Sequence, residues 1–113
     1  MTTPRLASSV LVSALLRRAE SEGGFGMVLA KGDSTAGAIA VILTQRAESP
    51  RFFERILQPD GSYGWQESPQ TFENEEELRT FLAQRRRFDP DMWLIELDIA
   101  STERFAAEMT SFG

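Results

Sequence analysis

Residues 31–37 read Lys-Gly-Asp-Ser-Thr-Ala-Gly, and this is where the types and spacing most resemble a place for chemistry. Glycines leave backbone N–H groups accessible, Ser34 and Thr35 add hydroxyls, and Lys31 adds a point charge, a set that suits a bound anion. Asp33 works against phosphate, and the order is not the G-x-x-x-x-G-K-[ST] of a P-loop. The plainer reading is a polar loop between two strands, its Gly, Asp and Ser serving turn geometry. Ser34 as a nucleophile would need Lys31 as its base, and an exposed lysine is a poor base at neutral pH.

Three further groups have chemical potential. Arg85, Arg86 and Arg87 form the dense basic cluster and could hold a phosphate or an acidic peptide. They also close a helix that Glu75, Glu76 and Glu77 open, which complements the helix dipole without any ligand. Asp89, Asp91, Glu96 and Asp98 are oxygen donors of the kind a hard cation takes. No EF-hand pattern accompanies them, so a solvated strand face is the expectation and no metal or other cofactor is assigned. Phe52, Phe53, Tyr63 and Trp65 crowd two adjacent strands, and an aromatic surface there is a candidate protein interface.

Much else is excluded by composition. The chain has 113 residues, 12 basic and 17 acidic side chains, a net charge of −5, and neither cysteine nor histidine. Disulfides, thiol catalysis, Cys/His zinc sites and Ser-His-Asp triads are therefore ruled out. The acidic balance argues against a general nucleic-acid binder. Ser13 interrupts the apolar run 10–16, Arg17 and Arg18 follow it, and no A-x-A pattern appears. Neither a signal peptide nor a membrane span is read there, and the cytosol is the expected compartment.

The elements that must position these residues follow from periodicity. Residues 6–22 are helical, with Val10, Leu11, Ala14 and Leu15 opposite a polar stripe; Val12 and Leu16 widen the apolar arc enough to suggest a second subunit. Residues 25–30 form a short strand and 38–44 a strand apolar on both faces, hence central; together they read as a hairpin with a long loop. Pro50 opens a third strand through Leu57 whose mixed faces suit a sheet edge. Pro59-Asp60-Gly61-Ser62 turns it into a fourth strand, 63–67. Asn74 caps a helix with Glu77 in the capping-box position, and Leu78, Phe81 and Leu82 form its buried stripe. Residues 92–99 alternate as a strand with one wet face, and Ser101 or Thr102 caps a last helix with Phe105, Ala106 and Met109 inward. The order α-β-β-β-β-α-β-α predicts a single α+β domain, residues 1–113, with a predominantly antiparallel sheet of about five strands, three helices, and the helices on one face.

Three stretches carry a resemblance: Arg5-Leu6-Ala7-Ser8-Ser9, the 31–37 loop, and residues 87–97, Arg-Phe-Asp-Pro-Asp-Met-Trp-Leu-Ile-Glu-Leu. Together they resemble the small bacterial, largely alphaproteobacterial family called domain of unknown function 1491. The resemblance spans nearly the whole chain and implies a bacterial cytosolic origin, with no activity or catalytic residues attached. The expectation is a non-enzymatic module that binds a protein partner or its own copy. The alternative is a domain for a small anion or nucleotide, held by Lys31, Asp33, Ser34 and Thr35 with Arg85–Arg87.

Overall fold

In the computed structural model, residues 7–109 are described. Their elements are α1 (Ser8–Ser21), β1 (Phe25–Ala30), β2 (Ile39–Gln45), β3 (Glu48–Leu57), β4 (Tyr63–Glu67), α2 (Glu75–Phe88), β5 (Trp93–Asp98) and α3 (Thr102–Met109), in the order the sequence predicts. Leu6, the expected start of the first helix, lies outside the described residues. The five strands make one sheet in the order β1-β5-β2-β3-β4. β2 is central, as two apolar faces require. Ile39, Val41 and Leu43 point to one side, Ala40 and Ile42 to the other, and all are buried.

Two pairings differ from the reading of the sequence. β1 and β2 are not a hairpin, because β5 lies between them, antiparallel to β1 and parallel to β2. The 31–38 loop brackets the start of that incoming strand. Asp33 N–H donates to the Asp91 carbonyl (2.9 Å), Trp93 N–H to the Ala38 carbonyl (2.7 Å) and the Trp93 indole to the Asp33 carbonyl (2.8 Å). Nor is β3 an edge: it is antiparallel to both β2 and β4. Pro50 is tolerated there because the register skips between Leu43↔Arg51 and Gln45↔Glu48, leaving it in a bulge with no ladder bond to lose.

The hairpin that the sequence does not advertise joins β2 to β3 through Arg46 and Ala47, both left-handed (φ 53° and 63°). Such a two-residue turn ordinarily recruits Asn-Gly. Here Asp98 holds it from β5, its carboxylate accepting from the Arg46 amide (2.8 Å) and the Ala47 amide (3.0 Å).

Helices cover both faces of the sheet, not one. α1 and α3 bury Leu11, Val12, Leu15, Ala19, Phe105 and Met109 against β2, β5 and Phe53. Val10, expected inside, is 47% exposed, and Val12 takes its place. On the other face α2 lays Leu78, Phe81 and Leu82 over Ala40, Ile42, Phe52, Met92 and Leu94. That covers Leu94, so the second face of β5 is only partly wet. Asn74 caps α2 as the sequence predicts, its Oδ1 accepting from the Glu77 amide (2.9 Å), while Glu77 Oε1 accepts from the Glu73 amide (3.2 Å), one residue before the N-cap, so the reciprocal half of the capping box is displaced.

Candidate functional site

The 31–37 loop uses its polar groups on the protein itself. The Asp33 carboxylate accepts from the Thr35 and Ala36 amides (3.2 and 2.8 Å), and Gly37 N–H donates to the Asp33 carbonyl. The Ser34 and Thr35 carbonyls accept from the Ser9 and Ser8 amides, capping α1, whose N-cap residue Ala7 has no side chain able to do so. Ser8 Oγ donates to the Gly37 carbonyl (2.6 Å). The loop therefore joins the start of α1 to the start of β5. The Ser34 and Thr35 hydroxyls and the Lys31 side chain remain exposed at its rim. Thr35 also lines a cavity of about 420 Å³ with Tyr63, Arg55 and Ser8.

The basic cluster is divided among three tasks. Arg85 pairs with Glu54 of β3, Arg86 donates to the Lys31 carbonyl (3.1 Å), and Arg87 is exposed. The loop and the cluster thus meet at Lys31 and Arg86. The aromatic candidates separate. Phe52 is fully buried beneath α2 and Phe53 nearly so on the opposite face, so the chain's own core takes both and leaves neither for a partner. Trp65 packs against that second core, and Tyr63 lies under the Arg55 guanidinium, 4.0 Å from its ring centre. Among the acids, Asp98 is committed to the turn and Asp89 accepts from the Asp91 amide. No group of three or more acids among the described residues is placed to hold a metal ion.

The surface that stands out lies on β1, where the sequence predicts only a short strand. β1 is an edge, yet Phe-Gly-Met-Val-Leu-Ala has the composition of an interior strand, with no charge and no proline. Gly26 and Val28 face α1. Phe25, Met27 and Leu29 lie toward the α2 side and are 57%, 52% and 41% exposed. Between β1 and α2 runs a groove of about 430 Å³, with Leu29, Ala30, Leu78, Leu82 and Leu94 as its apolar lining. Glu75, Arg79 and Arg86 of α2 and Glu96 of β5 supply its charge. The signal in the sequence was a second apolar face at Phe25, Met27 and Leu29; pairing β1 with β2 hid the fact that one side stays open.

Residues 6–107 match the family model described as protein of unknown function (DUF1491). The chain belongs to this family. Its structure resembles the crystal structure of a DUF1491 family protein from Caulobacter crescentus CB15, with 35% identity over 85% of this chain and 90% of that one and a TM-score of 0.76. The NMR structure of a DUF1491 family protein from the same organism gives 35% identity, coverages of 86% and 88%, and a TM-score of 0.74. Protein Atu0922 from A. tumefaciens, a solution structure, gives 30%, 87% and 89%, and 0.73. No curated protein matches the chain. No helix among the described residues is long and apolar enough to cross a membrane.

In this DUF1491 domain the groove carboxylate has a measurable signature. Burial, then Asp98 and Glu75, pushes the Glu96 carboxyl above the usual range, while Arg79 and Arg86 lie along the same groove. A raised acid binds its proton more tightly in the folded state. Its contribution to stability is full below the ordinary carboxylate pKa and is lost as pH rises through the raised value. Glu96→Gln is therefore expected to raise the Tm at neutral pH, and only modestly, because solvent still screens this partly buried group. The gain should vanish in acid below the ordinary carboxylate range. Thermal melts of parent and variant across pH check the sign, and an equal gain at every pH would exclude titration as its cause.

Proposed function

We propose that this DUF1491 protein is a non-enzymatic, cytosolic interaction module that engages a protein along the open edge of its sheet. The observation that carries this reading is the exposed row Phe25, Met27 and Leu29 on the edge strand β1. Natural sheets blunt such edges with lysine, proline or inward charges. β1 has no lysine, proline or charge; its one irregularity is the register shift between Val28 and Ala30, which leaves Phe25–Val28 as the regular stretch of the edge, and a groove of apolar side chains runs beside it. Strand addition supplies main-chain hydrogen bonds at such an edge, while pockets for alternate side chains supply selectivity. The small-anion alternative draws less support, because four amides of its loop already donate within the protein.

The test is in-cell photo-cross-linking in the protein's own organism. A photoreactive phenylalanine analogue in place of Phe25 is expected to give a discrete protein adduct. The same analogue at Val10, apolar and exposed on α1, is the control and is expected to give none. Equal labelling from both positions, or none from either, would overturn the reading.

A further inference from the structure

We infer that the protein engaged at β1 is a second copy of this chain, the two β1 strands pairing antiparallel about a twofold axis. The inference rests on the edge-binding reading above and adds the partner and its orientation. An antiparallel pair related by a twofold perpendicular to the sheet keeps both α2 helices on the same side. Phe25, Met27 and Leu29 of one copy then adjoin those of the other, and ten strands form a continuous sheet. No charge lies within residues 25–30, so two chains of net charge −5 meet there without like charges in direct opposition.

Orientation follows from the charges beside the strand. α2 runs along β1 in the same sense. Glu75, in its first turn, shares the groove with Glu96, which lies opposite Met27, and Asp98 lies opposite Phe25. Arg86, in its last turn, reaches the carbonyl of Lys31, just beyond Ala30. The edge thus has an acidic end at Phe25–Met27 and a basic end at Leu29–Lys31. Antiparallel pairing sets the acidic end of each copy toward the basic end of the other, twice over. A symmetric parallel pair would need a twofold along the strand, which puts the two α2 helices on opposite faces and their charges out of reach of one another. One strand and three side chains offer less than the roughly 800 Å² per partner of a standard interface, so the dimer should be reversible and concentration-dependent.

Sedimentation equilibrium of the full chain over a wide concentration range is the experiment. The parent should move from monomer to dimer. Met27→Lys should weaken the dimer at least about tenfold, because it sets two cations across the axis, while giving Glu96 a partner within each folded monomer. Glu75→Arg alone and Arg86→Glu alone should each weaken it about fivefold, as screened attractions become repulsions. Mixed together, those two variants should associate about as well as the parent, which only folded chains can do. A parent that stays monomeric, or a dimer that Met27→Lys leaves intact, overturns self-pairing at β1. A mixture no stronger than its components overturns the antiparallel orientation. A monomer in vitro whose position 25 still cross-links to a different protein in cells removes the second copy as occupant and leaves the edge-binding reading standing.

Discussion

Replacing Phe52 by alanine is expected to lower folding stability by about 3–5 kcal/mol, the range for truncating a buried aromatic ring. The ring is fully buried, meets Phe81 edge-to-face with centroids 5.0 Å apart, and through it reaches Phe72 at 5.2 Å. Collapse of the cavity is restricted because β3 is held on both sides, by β2 at Ile42↔Phe52 and by β4 from Phe53↔Glu67 onward. α2 depends on the same contact: it buries no residue completely and sets Leu78, Phe81 and Leu82, with Phe72 from the preceding loop, against this small cluster. Urea unfolding should show a lower midpoint with an unchanged slope, the mark of altered stability at constant exposed surface. A loss below about 0.5 kcal/mol would be the value of a surface substitution and would return Phe52 to the aromatic surface for which the sequence makes it a candidate.

The element pattern was legible because each element carries its own signal. α2 announces itself by Asn74, Glu77 and the Leu78-Phe81-Leu82 stripe, β2 by apolar residues on both faces, and the β3–β4 turn by Pro59-Asp60-Gly61-Ser62. Strand order was not legible, because no local pattern tells a strand which neighbour it will have. The β1–β2 loop has the composition of a hairpin loop, yet its hydrogen bonds are spent on β5, sixty residues away at Asp33 and Trp93. The β2–β3 turn has the opposite history. Arg46-Ala47 carries no turn signature, and its left-handed backbone is held by Asp98 from a third strand.

The candidate site shows the same division. Residue chemistry drew attention to the 31–37 loop and to Arg85–Arg87, and the two do meet, through the Lys31 carbonyl and Arg86. Aromatic density drew attention to Phe52 and Phe53, which alternate to opposite faces and are each covered by a different helix. The exposed row on β1 is made of residues whose types say core. Only the sheet order, with β5 on one side of β1, turns them into a surface.

Gly32→Ala is the second large effect, expected to cost about 3 kcal/mol, the upper part of the range for overpacking. A Cβ at Gly32 would lie 2.7 Å from the Met92 carbonyl carbon and the Trp93 nitrogen, and closer still to the Asp91 carbonyl oxygen. All three are main-chain atoms, so no side-chain rotation relieves the contact and the loop must move from the start of β5. That displacement also withdraws the Ser34 and Thr35 carbonyls that cap α1, so hydrogen exchange should quicken at the Ser8 and Ser9 amides as well. Ser34→Ala is the matched control: it removes an exposed hydroxyl, keeps the capping carbonyl, and is expected to fall within about 0.5 kcal/mol of the parent. Chemical unfolding of both variants separates two reasons for glycine in this loop. A large loss at Gly32 with none at Ser34 means that the glycine is there to let one backbone pass close to another. A tolerated alanine at Gly32 would free the residue from that duty and return the loop to consideration as a ligand cradle.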